Sequence, residues 1–215
     1  MTILRHNAVT HVGKVRKVNE DSILALPDQS TFVVADGMGG HAGGDFASQT
    51  VVDSVAMIPL GLEPAAQMQA LRTSIVNAHG TILKEIDTRG GVTIGAAVVS
   101  LMISGEHFVC FWAGDCRLYR LRDGVIDLLT SDHSIVAELV HAGQMTWDEA
   151  EQHPHSNAIT RAVGVGDELD LDKIRGTLQP GDRFLLCSDG LNKYAGFDVL
   201  QRAMTGAPIE TISET

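Results

Sequence analysis

Three times along this chain an apolar run passes through a small residue and stops on an aspartate. "FVVADG" (residues 32–37) reaches Asp36, "VCFWAGD" (109–115) reaches Asp115, and "FLLCSDG" (184–190) reaches Asp189. An Asp-Gly pair turns the chain well, and one such ending would need no further explanation. Three are harder to dismiss. Carboxylates at the ends of buried strands face a low-dielectric floor, where like charges stay ionised together when a cation is beside them. Hard oxygen donors of this kind suit Mg²⁺ or Mn²⁺ rather than zinc.

After Asp36 the chain gives up side chains almost entirely, in "GMGGHAGGD" (37–45). Glycines there would let backbone approach an ion or its waters, with Gly37 offering its carbonyl. The same letters form Gly37-x-Gly39-x-x-Ala42, a loose dinucleotide fingerprint between a strand and a helix. Two features count against it. Asp36 would face the pyrophosphate, and two helices follow in succession where a second parallel strand is needed. Upstream, "RKVNED" (16–21) reads by itself as a solvated charged loop. Folded over the aspartates, it would present Arg16 as a fork for phosphate, with Glu20 or Asp21 as water-mediated metal partners. The combination points to phosphoryl chemistry.

Organisation along the chain is compatible with one domain, 1–215, since no linker or internal repeat divides its 215 residues. A net charge of −11 without a Lys/Arg cluster argues against a nucleic-acid surface. Cys110, Cys116 and Cys187 make no CxxC pair, so a zinc knuckle or disulfide framework has no support. No apolar signal core opens the chain, and "GAAVVSLMI" is too short to span a bilayer. A soluble, cytoplasmic protein without a membrane partner is expected.

Strands are predicted at 22–26 and 32–35, then a helix N-capped by Asp45 with Ala47, Val51, Val55 and Ile58 on one face. A second helix starts at Pro64, its buried stripe running Met68, Leu71, Ile75, Ala78, Ile82 and Ile86. Hairpin punctuation ("SGE", "GD", "DG") then separates four strands between residues 92 and 130. A helical insert at about 134–152 carries the capping box Thr146-x-x-Glu149. Strands return around "PGD" within 170–187, and 197–205 reads as helix. Hairpins with helices in consecutive pairs predict an α+β fold of antiparallel sheets covered by helices.

Six segments, taken together and in this order, resemble the metal-dependent protein phosphatases of the protein phosphatase 2C family, bacterial branch. They are "RKVNED" (16–21), "VVADGMGGHAGG" (33–44), "GDCRLYRLRDG" (114–124), "LTSDHSIVAELVHAGQMT" (129–146), "HPHSNAITRAVG" (153–164) and "LQPGDRFLLCSDGL" (178–191). The resemblance covers nearly the whole chain. It implies two stacked antiparallel sheets with helices on both outer faces. It also implies Mn²⁺ or Mg²⁺ as cofactor, two core ions and a third, weaker one. By the same resemblance Asp36 bridges the core pair, the Gly37 carbonyl and Asp189 each ligate one of them, and Asp115 serves the third. Glu20 and Asp21 act through waters, Arg16 binds the substrate phosphate, and residues 132–161 form a flap beside the site.

The implied activity is hydrolysis of phosphoserine and phosphothreonine in proteins by a hydroxide held between the two ions, with no protein nucleophile. Phosphorylated proteins and a cognate Ser/Thr kinase are the implied partners, and a monomer is expected. The chain departs from the family in three places. Met38 stands where some relatives carry a histidine, leaving His41 as a nearby substitute or a solvated loop residue. Val92 replaces a first threonine, although Thr93 remains. A final strand pair with an Asp-Asn motif is missing from the sequence, which reads as truncation at the C-terminus. That last departure keeps a second function open: a weak or inactive phosphatase-like module that binds a phosphoprotein or kinase.

Overall fold

The computed structural model describes residues 4–14, 16–39 and 43–211. The first strands are β1 (Asp21–Leu26) and β2 (Thr31–Gly39), followed by helices α1 (Gly43–Ala56) and α2 (Pro64–Thr88). A run of strands comes next: β3 (Ile94–Ser104), β4 (His107–Ala113), β5 (Arg117–Arg122) and β6 (Val125–Leu128). Two short helices, α3 (Ile135–His141) and α4 (Trp147–Glu151), precede β7 (Asp172–Thr177) and β8 (Arg183–Cys187). The chain closes on α5 (Asp189–Asn192) and α6 (Phe197–Gly206). Five strands form one antiparallel sheet in the order β1-β2-β3-β4-β7, and three form a second in the order β6-β5-β8. The expected α+β sandwich is the observed architecture.

Strand periodicity divides the apolar residues into three layers. Val33 and Ala35 of β2, with Ile94, Ala96 and Val98 of β3, pack under the stripes of α1 and α2, where Val51, Val55, Leu71, Ile75 and Ile82 are fully buried. Their neighbours of opposite parity face the other way. Val34, Ala97, Val99, Leu101, Cys110 and Trp112 meet Leu118, Phe184 and Leu186 between the sheets. On the far face of the small sheet, Tyr119, Leu121, Ile126 and Cys187 pack against Leu200 and Met204 of α6. Arg183 Nη1 donates to the Met204 and Ala207 carbonyls, at 2.6 and 2.7 Å, and so caps that helix from β8.

Two features of the structure differ from the sequence reading. First, β2 does not end near Asp36 but runs on to Gly39, because Gly37, Met38 and Gly39 remain in register with Ala96, Gly95 and Ile94 of β3. Glycines that look like a loop are carried as strand by a strongly apolar neighbour. Second, the strands flanking "PGD" do not pair with each other: β7 joins β4 in the large sheet and β8 joins β5 in the small one. This link between the sheets is therefore short, unlike the one from β6 to β7, which carries α3 and α4. A second short link, between β4 and β5, turns at Gly114, whose φ of +102° and contact with Ala97 leave no room for a side chain. The antiparallel pairing of β2 with β1 and β3 rules out the dinucleotide reading, which needs a parallel βαβ unit.

Residues between β6 and β7 leave the sheets, with α4 opening on the predicted Thr146–Glu149 capping box. This excursion is tied down at its base, where Ser134 bridges to Ile159 and Arg117 grips Asp132 through Nε–Oδ1 and Nη2–Oδ2 contacts of 2.9 and 2.7 Å. Leu71→Ala should lower unfolding free energy by about 2–5 kcal/mol, because α2 cannot collapse onto the sheet to fill the void. A urea titration followed by circular dichroism should show the midpoint fall at constant slope. Tyr194→Ser, at a position 89% exposed, should stay within about 0.5 kcal/mol of the parent.

Candidate active site

Four aspartates from four separate segments meet at one end of the sandwich. Asp21 opens β1 and lies directly opposite Asp36 of β2, so both carboxylates project from the same face. By the alternation along β2, that face is the one Val34 presents to the space between the sheets. Asp115 sits in the β4–β5 crossing, and Asp189 begins α5 immediately beyond β8. The opposite sheet reaches across: Ser188 Oγ donates to Asp21 Oδ2 at 2.8 Å. All four carboxylates are half-buried.

Their proximity is written in their proton affinities. Burial, followed by the charges of Asp21, Asp189 and Asp115, raises Asp36 to about 8. Asp115 rises to about 6, first through burial and then through Asp189 and Asp132. Among the described residues no three carboxylates close into a ready-made cage. They stand around a shared space, each leaving room for other ligands.

Glu20 and Gly37 form the adjoining wall. The Gly37 N–H donates to the Glu20 carbonyl at 3.0 Å, and a methyl group at position 37 would collide with the Gly44 carbonyl at the start of α1. A methyl at position 44 would come within 2.5 Å of Glu20 Oε1. The glycines on either side of the β2–α1 connection thus let strand, helix start and acidic loop approach at backbone distance. Arg16 is less engaged. Its side chain is 78% exposed and its Nη1 lies 3.9 Å from Glu20 Oε2. His41 lies outside the described residues.

Two contributors escaped the sequence reading: Ser188 and Lys193. The Lys193 ammonium is hydrogen-bonded to Asp189 Oδ2. Its signal was present as the i,i+4 spacing from Asp189, which gains meaning only because the chain turns helical at Asp189, where the sequence reading placed no helix. His133 is a further tie. Its N–H donates to the Gly114 carbonyl at 3.0 Å, and its Nδ1 accepts from the Gly114 N–H at 3.1 Å, which fixes the residue before Asp115.

The sequence profile of the family Protein phosphatase 2C matches residues 11–208. This chain belongs to that family. Its relatives include the serine/threonine protein phosphatase PstP of Mycobacterium tuberculosis, 34% identical over 207 residues that cover 94% of this chain. Those residues are 39% of PstP, so the chain spans about two fifths of that relative's length. Among solved structures, PppA, a key regulatory component of T6SS in Pseudomonas aeruginosa, superposes with a TM-score of 0.87 at 43% identity, covering 95% of this chain and 85% of PppA. The catalytic domain of PstP in complex with 2 manganese ions gives 0.79 at 30% identity, covering 94% and 84%. These protein phosphatase 2C structures share the two-sheet architecture described above.

A raised carboxyl pKa means the folded chain keeps a proton that the unfolded chain has lost. For Asp36 this holds from about pH 4 to about 8, so the folded state binds more protons across that window and its stability falls as pH rises. In the presence of a chelator, the melting temperature should drop by about 5 °C or more between pH 4.5 and 8. Asp36→Asn should flatten the profile. A parent profile that is flat or rises would contradict the carboxylate cluster.

Proposed function

We propose that this chain removes phosphate from phosphoserine and phosphothreonine in proteins, using divalent cations held by its aspartates. The observation that carries the reading is the meeting of Asp21, Asp36, Asp115 and Asp189 at one end of the sandwich. The donor set fits Mn²⁺ or Mg²⁺. It is built of oxygen, it is spread so that an octahedral ion could keep several waters, and its glycine cradle brings backbone within reach. The likeness to a manganese-bound PstP domain supports the same choice.

When bound, such ions lower the pKa of water and neutralise charge on the phosphoryl oxygens. The chain's own residues do the rest. Asp36, central among the acids, and Asp189, from the segment beyond β8, would hold the core ions with the Gly37 carbonyl, and Asp115 would serve a third position. Glu20 and Asp21 accept hydrogen bonds from water, and Ser188 fixes the Asp21 carboxylate for that task. Arg16 is tied to Glu20 by a long contact, so its guanidinium can leave that partner for a substrate phosphate at little cost.

A thiol mechanism has no support. Burial pushes Cys187 to about 12 and raises Cys110 and Cys116 as well, so none supplies a thiolate near neutral pH. The excursion 132–161 stands beside Asp115 through His133 and is the part best placed to select among phosphoproteins.

A Ser/Thr kinase acting on the same proteins is the implied counterpart, and the likeness to PppA supports a regulatory setting. Three buried free cysteines suit the reducing cytoplasm. Among the described residues no helix is long and apolar enough to cross a membrane.

Hydrolysis of a phosphothreonine peptide should depend on Mn²⁺ and stop when chelator is added. Chelator-insensitive turnover would defeat the reading. Asp36→Ala should lower kcat by more than about a hundredfold while leaving the circular dichroism spectrum intact. Arg16→Ala should act chiefly on KM, and unchanged kinetics would remove Arg16 from phosphate binding.

A further inference from the structure

The aspartate cluster has a cation of its own. Lys193 lies four residues after Asp189, and its ammonium is hydrogen-bonded to Asp189 Oδ2. The same charge lowers the proton affinity of Asp115 against the rise that burial imposes. The ammonium therefore acts on acids from the end of β8 and from the β4–β5 crossing. Other nearby cations are committed elsewhere: Arg117 is held in a two-point grip by Asp132, and Arg16 faces Glu20. Lys193 and Asp189 are 41% and 32% exposed, so this contact can open into solvent without stranding a buried charge.

We infer that Lys193 is a tethered counter-ion that competes with a divalent cation for Asp189 and so sets the metal concentration at which the site fills. The inference rests on the ion-binding reading above. An ammonium on a flexible four-carbon stem is a point charge that can swing away, unlike a guanidinium fork. One carboxylate oxygen held by Lys193 is lost to a metal until the ammonium leaves, and the departing charge no longer offsets repulsion among the acids. A half-exposed ion pair opposes the incoming ion modestly, which corresponds to about a two- to fivefold weakening of metal affinity. In return, the metal-free fold keeps one of its like-charged aspartates neutralised.

The test is Mn²⁺ binding by isothermal titration calorimetry on the full chain after chelator and dialysis, comparing the parent with Lys193→Met and Lys193→Arg. K193M should bind Mn²⁺ about two- to fivefold more tightly, and its thermal midpoint should respond at correspondingly lower Mn²⁺. K193R, which keeps the charge and can grip a carboxylate at two points, should bind Mn²⁺ no more tightly than the parent. Equal affinity in K193M and parent would overturn the inference and leave the ion-binding reading standing. Weaker binding in K193M would also overturn it, by making Lys193 a staple of α5 that supports the site, and so would K193R behaving like K193M. A parent chain that takes up no Mn²⁺ would overturn the reading beneath it as well.

Discussion

Mutual repulsion among Asp21, Asp36, Asp115 and Asp189 is the constraint around which the molecule is organised. Two like charges about 4 Å apart cost on the order of 4 kcal/mol at the effective dielectric of a protein surface, and burial adds to that. Left to themselves the segments bearing these acids would separate. They stay together because each is fastened to a layer with its own apolar core. Asp21 and Asp36 are fastened to the large sheet under α1 and α2, and Asp189 to the small sheet over α6. Cross-sheet packing of Trp112, Leu118 and Phe184 then locks the two acidic ends into one mouth. Burial first, and this repulsion after it, raise the proton affinity of Asp36, and cations are the natural relief.

The elements nearest the acids are correspondingly exact in their geometry. Gly114 turns from one sheet to the other in a conformation closed to other residues, and His133 holds it on both its N–H and its carbonyl. Gly37 and Gly44 let the acidic loop touch both strand and helix. By contrast, the groups expected to meet substrate or exchange partners, Arg16 and Lys193, are partly exposed and held by single contacts. Rigid carboxylates with movable cations around them form a division that suits a site which must fill, turn over and empty.

Much of this was legible from residues alone. Hairpin punctuation identified the strands from β3 to β5 and helical stripes the two long helices, although α1 opens at Gly43 and takes Asp45 into its first turn instead of starting from it as the expected N-cap. The acids were legible as a set because all three runs share one design. Less legible were features that depend on neighbours distant in sequence. The extension of β2 to Gly39 is enforced by β3, and no local property of "GMG" announces it. The assignment of β7 and β8 to different sheets depends on partners about 65 residues upstream, and a "PGD" turn suggests the wrong hairpin. Ser188 and Lys193 were hidden because nothing local in "SDGLNK" announced the short helix α5. His79, whose Nδ1 accepts from the Gly164 N–H at 2.9 Å, lay between stripe positions of α2 and gave no sign of its role.

The central claim is that paired divalent ions sit among these carboxylates. Anomalous diffraction from crystals grown with Mn²⁺ tests it most directly. The account predicts two strong peaks, both within about 2.1 Å of an Asp36 oxygen and one of them also ligated by Asp189. Peaks confined to other surfaces, or none at all at saturating Mn²⁺, would contradict it.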